Sequence, residues 1–327
     1  MKNINKNKSK LVVLFLIVLL FTGCTTPLKD KDNKPVKNDA TGQQLTENIL
    51  CQPSAKSLET KQNDGKTLLE KYVENGVDIN SLPKCSSFGL IENIKKYDGL
   101  WSTIFVKPLA WLLLKIGNFV GSRGLALIIV SLAIRFIAFP LTKKTAIQSE
   151  LIKEAQPQLQ KLEKKYEGKD DKDSMMKKSQ EMAAIYKKYK INPVAGCLFA
   201  LIQLPLFIAF LEAINRVPAI FEEQFLVWQL GTTPIMGITQ GVLPAIGYIV
   251  LIIGVGVTTY FSLKLNSTNN PENAQAEQMN KIMFFMILFM SVVMTSALNI
   301  YWIVTNLFTV VQNILVAKEK EKRKKVA

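Results

Sequence analysis

The chain has no histidine. That absence removes Ser-His-Asp and Cys-His nucleophilic catalysis, histidine-bound zinc or iron, and histidine proton relays. Cysteine is scarce: Cys24, Cys51, Cys85 and Cys197 stand far apart, with no C-x-x-C spacing to suit a redox pair or a thiolate metal site. No glycine-rich phosphate loop of the Walker type occurs, and no dinucleotide fingerprint. Together these gaps argue against an ATPase, a metalloenzyme and a redox enzyme. No metal, cofactor, nucleotide or catalytic residue is expected, and the chain reads as non-enzymatic.

What is present is apolar and basic. Of 327 residues 48% are hydrophobic, mean hydropathy is +0.16, and 41 Lys+Arg against 26 Asp+Glu leave a net charge of +15. A basic balance often marks a nucleic-acid binder. Here, however, the apolar residues gather in runs of about 17–22, each near the length that crosses a bilayer core. The plainer source of the charge is therefore cytoplasmic loops that follow the positive-inside bias. The chain reads as an all-α polytopic membrane protein.

The stretch MKNINKNKSKLVVLFLIVLLFTGC begins with four lysines. It continues through an apolar Leu11–Phe21, too short to span comfortably, and ends at Thr22-Gly23-Cys24. This is the order of a secretory signal, and small residues before a cysteine resemble a bacterial lipobox. The resemblance implies removal of 1–23 and lipidation of Cys24, with acyl chains tethering the new N-terminus to the outer leaflet. A retained short anchor with an incidental Cys24 is the alternative. Residues 24–100 then form an extracytoplasmic tether and small cap. Within them 25–50 are polar and read as a disordered tether, while 51–100, with LLEKYVENGVDI, read as a small helical cap. An oxidising space permits a Cys51–Cys85 disulfide. Two free thiols fit equally well, because sequence cannot show how near the two Cα atoms come.

Residues 101–122 carry Lys107, Pro108 and Lys115 among Trp101, Ile104, Phe105, Leu109, Leu112 and Ile116 at 3–4 spacing. They read as an amphipathic helix lying in the interface, with a short tilted span as the alternative. Five spans follow within a core of 123–317, at about 124–141, 194–211, 242–263, 282–298 and 300–317. The last two form a tight hairpin across Leu298-Asn299. Residues 142–191 hold 13 Lys and 8 acids, and the tail 318–327 holds five Lys and Arg323 against two Glu, whereas 212–241 hold one Arg and three Glu. An external N-terminus puts both basic segments in the cytoplasm, as the positive-inside bias requires. Within the first of them, 143–190 show two helical patterns, Ile147 to Tyr166 and Met175 to Tyr189, which predict a cytoplasmic helical hairpin. Asp173 or Ser174 should cap its second arm, and Pro157 should kink or restart the first. The hairpin is either a self-packed solvated element or, through its Met and Tyr residues, a contact site for an incoming chain or a partner.

The spans contain no Asp or Glu, yet LIIVSLAIRFIAFPL carries Arg135 near its middle, with Ser131 one turn earlier on the same face. Gln203 sits centrally in the second span, and Tyr301, Thr305, Asn306, Thr309 and Gln312 in the fifth. Interhelical hydrogen bonds account for Gln203 and Asn306. They do not account for Arg135, whose charge costs about 2.5–3.5 kcal/mol at a helix centre on insertion scales and which has no counter-ion at its own depth. A water-filled cavity within the bundle is the remaining solution, and one fixed positive charge there attracts a negative one.

At these residues the chain resembles the YidC/Oxa/Alb family of membrane protein insertases, in the lipoprotein-type form of Gram-positive bacteria. The resemblance rests on GLALIIVSLAIRFIAFPLT, KKYKINPVAGCLFALIQLPLFIAF, LPAIGYIVLI and IYWIVTNLFTVVQN, which cover roughly 95–325 in the family's order. It implies five helices around a hydrophilic groove open to cytoplasm and lipid. The family's groove arginine falls on Arg135, a substrate-contact position on Ser131 and an aromatic contact on Tyr301, with Trp302, Gln203 and Asn306 counted beside them. Implied partners are nascent membrane-protein substrates, the Sec translocon, the lipid bilayer, and the ribosome through the basic hairpin and tail. Two departures stand out: Phe199 replaces a usual proline, and Thr295-Ser296-Ala297-Leu298-Asn299 replaces a Pro-Ala-Gly-like turn. An insertase is the leading reading. A small-solute transporter or channel with Arg135 as an anion site is the alternative, although no internal repeat of the kind common in transporters is visible. A lipid-anchored scaffold would leave Arg135 freely replaceable.

Overall fold

A computed structural model describes residues 25–91, 98–169, 171–192, 194–266 and 274–326, with backbone alone at 194–202, 266, 274–277, 279 and 320–326. The expected signal peptide and Cys24 lie outside these residues. In chain order the helices are α1 (Ala55–Leu58), α2 (Leu68–Glu74), α3 (Lys107–Val120), α4 (Arg123–Lys165), α5 (Lys172–Lys188), α6 (Val194–Asn215) and α7 (Pro218–Phe221). A small hairpin of β1 (Gln224–Phe225) and β2 (Trp228–Gln229) comes next, then α8 (Pro234–Gly237), α9 (Val242–Asn266), α10 (Ala274–Val293) and α11 (Ser296–Val326). The described residues fall into two compact units. The first draws on Met1–Val130, Leu204–Leu251 and Val293–Ile300, and the second on Ser131–Gln203, Ile252–Val292 and Tyr301–Ala327.

In the first unit, residues 25–50 are not a bare tether. Leu28, Leu45 and Ile49 pack with Leu68, Tyr72 and Ile79 in one buried cluster, joined by Val36, Leu58, Val77 and Leu82. Isolated bridges pair Pro27 with Thr46 and Lys37 with Gln44. The reason is burial: four apolar residues too sparse to form a core alone gain partners from 58–82, so local polarity underestimates order. Helix α2 starts at a reciprocal capping box, Thr67 accepting from the Glu70 N–H while the Glu70 carboxylate accepts from the Thr67 N–H. Cys51 and Cys85 are joined by a disulfide, their Cα atoms 4.9 Å apart.

Among the described residues, four helical stretches are long and apolar enough to cross a membrane by length and composition: Ser102–Val120, Arg123–Lys165, Val242–Leu265 and Ser296–Glu319. Three coincide with expected spans, and Ser102–Val120 is the segment read as interfacial. Apolar stretches also lie within α6, at Gln203–Asn215, and within α10, at Asn280–Val293, in helices of 22 and 20 residues. Helix α4 has 43 residues. At 1.5 Å per residue it is about 65 Å long, twice the core of a bilayer, so about half of it projects beyond the hydrocarbon.

Three local expectations are corrected. Of the two outcomes expected at Pro157, a kink or a restart, the restart is excluded, for both Pro140 and Pro157 lie inside α4. The second arm, α5, is capped by Asp171, whose carboxylate accepts from the Ser174 N–H at 2.9 Å, and not by Asp173 or Ser174. The turn between the last two spans lies at 294–295 rather than 298–299. There the Ser296 and Ala297 N–H groups, orphaned at the start of α11, donate to the carbonyls of Thr232 and Leu230 at 3.0 Å each, while those of Leu298 and Asn299 turn back to Thr295.

Candidate functional site

Every expected groove residue falls in the second unit. On α4, Ser131 and Arg135 are both buried, and the row continues at Thr142 and Thr145, positions related by near-integral helical turns. On α11 the buried row is Tyr301, Thr305, Thr309, Gln312 and Asn313, and on α9 it is Thr258, Thr259 and Ser262. Three long apolar helices thus each turn one polar stripe into protein. On α11 the hydroxyl donors are satisfied within the helix: Thr305 Oγ1 donates to the Tyr301 carbonyl at 2.9 Å and Thr309 Oγ1 to that of Thr305 at 2.9 Å. Cross-helix bonds tie the stripes together. Gln203 Nε2 donates to Tyr301 Oη at 3.5 Å, Asn306 Nδ2 to Thr259 Oγ1 at 2.8 Å, and Thr142 Oγ1 to Gln312 Oε1 at 2.9 Å. Trp302 is half-buried beside Tyr301. Asn306 therefore works with α9, whereas Gln203 works with Tyr301.

Arg135 differs from these neighbours. It is 5% exposed, and its Nε finds no hydrogen-bond partner. It makes no salt bridge among the described residues, although it lies in electrostatic range of Tyr301. A buried guanidinium with one unpartnered N–H is a poor device for stability and a ready donor to a carboxylate or a polar backbone. Thr142, Thr145, Thr258, Thr259 and Ser262 were not legible as members of this interior. The i+7 spacing of Thr142 from Arg135 was the one available signal.

Toward the loop 212–241, the first unit carries a second buried arginine that sequence reasoning passed over. Arg216 donates through Nε to the Asn48 carbonyl at 2.7 Å and through Nη1 to Ser102 Oγ at 2.6 Å, and Nη2 pairs with Asp98. Burial works to raise the Asp98 carboxyl, but the Arg216 guanidinium outweighs it and holds the group below its usual range. Glu223 closes the start of α4. It accepts from Ser122 Oγ and the Arg123 N–H at 2.7 Å each and from the Gly124 N–H at 3.3 Å, and it pairs with the Arg123 guanidinium at 3.3 Å. Burial would raise this carboxyl too, but those donors keep it lowered. At the base of the projecting half of α4, in the second unit, Lys143 pairs with Glu319 at 2.8 Å. Lys153 bonds both Glu150 at 2.7 Å and the Leu265 carbonyl at 2.9 Å.

Apolar helices with polar inner stripes define a multi-pass membrane protein. The family model of the 60Kd inner membrane protein matches residues 115–324. Over 229 residues the chain is 38% identical to a membrane protein insertase YidC of Oceanobacillus iheyensis, covering 68% of this chain and 85% of the relative. It is 36% identical to the membrane protein insertase MisCA of Bacillus subtilis, covering 66% and 78% respectively. A crystal structure of an active YidC insertase aligns with a TM-score of 0.48 at 23% identity, over 65% of this chain and 46% of that one. The chain belongs to the YidC/Oxa/Alb family.

Proposed function

We propose that this protein is a membrane protein insertase and chaperone that moves client segments through a hydrophilic groove centred on Arg135. The observation that carries the reading is a buried guanidinium with an unpartnered Nε amid three polar stripes, in a chain whose relatives are named insertases. Five helices around the groove, from α4, α6, α9, α10 and α11, are the architecture this requires, with α3 in the interface. Basic segments at 142–191 and 318–327 favour a cytoplasmic face for the α4–α5 hairpin and the tail. There they would meet the ribosome and emerging clients, alone or beside the Sec translocon. The hairpin is braced by Lys165 and Tyr166 on Glu181, at 2.6 and 3.0 Å, and leaves Met175 and Met176 exposed. Cys24 would carry the lipid that anchors the cap outside.

In this mechanism a client's short polar or acidic flank meets the hairpin, enters the groove and is drawn to Arg135. The polar stripes replace part of its lost hydration, lowering the cost of passage. The attached apolar segment then slides into lipid, driven by about 25 cal/mol per Å² of apolar area leaving water. The test is client insertion in cells depleted of their own insertase. They are supplied with wild type, Arg135→Lys, Arg135→Ala or Arg135→Leu, and a single-span client is followed by protease protection. Wild type and Arg135→Lys should insert while the other two fail. Equal insertion by all four would overturn the role of the charge.

A further inference from the structure

Strands β1 and β2 close on a two-residue turn, Leu226-Val227, with Phe225 paired to Trp228. Both turn side chains are exposed, at 70% and 51%, and Leu226 has φ +55°. That left-handed conformation is disfavoured for a residue with a Cβ and falls to Gly or Asn in most tight hairpins. The turn is held in place without help from Leu226. Trp228 Nε1 donates to the Gly247 carbonyl at 2.8 Å, the Gln229 N–H to Tyr248 Oη at 3.3 Å, and the Phe225 ring covers Gly124. An exposed leucine kept in a strained conformation that packing does not require points to a role for its apolar side chain.

The exposed face of helix α9 lies beside that tip. Leu243, Gly247 and Val250 share one face at i, i+4 and i+7. Leu243 and Val250 are 77% and 54% exposed, on a helix long and apolar enough to cross a membrane. Gly247 is the gap in this row and Val227 fills it, for a Cβ at Gly247 would lie 2.9 Å from Val227 Cγ2. The hairpin tip thus continues the exposed apolar face of α9, and Leu226 is exposed at the same tip. Two aliphatic side chains fall far short of the roughly 800 Å² per partner of a specific protein interface, whereas continuity with a lipid-facing helix favours acyl chains. Trp228, apolar in body with its N–H satisfied, suits the boundary between acyl chain and headgroup.

We propose that the Leu226-Val227 tip is a membrane anchor that dips among the acyl chains of the leaflet at the N-terminal end of α9, pinning the 216–241 loop to the bilayer surface. The test uses full-length protein with Cys24 and Cys197 replaced by serine and the Cys51–Cys85 disulfide kept. It is reconstituted in phosphatidylethanolamine–phosphatidylglycerol vesicles, with an environment-sensitive fluorophore at Leu226→Cys. Leu243→Cys gives the lipid-facing reference and Asp32→Cys the aqueous one. The tip should match Leu243→Cys, with blue-shifted emission, quenching by shallow nitroxide lipids and loss of iodide quenching. Emission and iodide quenching equal to those of Asp32→Cys would overturn the anchor. So would blue-shifted emission that nitroxide lipids fail to quench, since it would mean a protein occupies the tip.

Discussion

Arg216 and Arg135 are both buried, at 1% and 5% exposure, and both sit among helices of a membrane protein, yet their surroundings are opposite. Arg216 spends its donor fork on Asp98, Ser102 and the Asn48 carbonyl, tying the cap and the 98–102 segment to the end of α6. Arg135 has an unpartnered Nε and no ion pair among the described residues. The first is what a buried cation looks like when it holds a structure together. The second keeps an Nε that no group among the described residues takes up. The contrast teaches that a buried charge is read by what its donors touch, not by its depth.

If the first unit is held by satisfied links, severing them should cost stability in order of their strength. The largest loss is expected for the double substitution Cys51→Ser, Cys85→Ser. The bridge joins residues 34 apart, and chain entropy gives about 3–4 kcal/mol for such a loop. The cap should become protease-sensitive at a lower temperature while helices of the second unit keep their protection. Equal loss in both would erase the distinction between them. Arg216→Met comes next, at about 2–4 kcal/mol, because several hydrogen bonds to a charged group go at once and their effects are not additive. Arg216→Lys should recover only part of this, since an ammonium cannot reproduce a planar fork. Thermal melting in detergent reads both.

Glu223→Gln sharpens the comparison through pH. The carboxylate caps α4, and its removal should cost about 1 kcal/mol. Because the folded group titrates below its ordinary 4.5, the stability it contributes is fully present above that value and is lost as pH falls through the folded value. The melting curves of wild type and variant should therefore differ at neutral pH and converge in acid. In the second unit, Asn306→Leu should cost about 0.6 kcal/mol, the average for interhelical hydrogen bonds within membranes. A loss as large as that of Arg216→Met would mean the polar stripes are structural after all.

Much of this contrast was legible in the sequence and half of it was not. Arg135 announced itself because a charge interrupts an apolar run with no acid at its depth, and Ser131 followed from one helical turn. The polar row Tyr301, Thr305, Thr309 was visible by the same spacing. Arg216 did not stand out, because an arginine in a polar loop is unremarked until Asn48, Asp98 and Ser102, each over a hundred residues away, are brought to it by the fold. The core role of Leu28, Leu45 and Ile49 was hidden for a related reason: their partners at 68–79 supply the burial that their own polar surroundings deny. Asp171 was missed as a cap because a preceding turn residue, not the helical pattern, decides where an N-terminus begins.

The smallest expected effect on stability belongs to Arg135→Leu, and its smallness is the informative part. Replacing a poorly satisfied buried charge with an apolar side chain of similar reach is often neutral, and stabilises some proteins by about 1–4 kcal/mol. Melting of the variant in detergent should therefore match or slightly exceed wild type, in contrast to Arg216→Met. Client insertion by the same variant should fall sharply. Stability kept with insertion lost would place the charge in service of the client. Stability lost in step with insertion would make Arg135 a second Arg216, held by partners that form only in the membrane, and the groove would then have to work through its hydroxyl stripes alone.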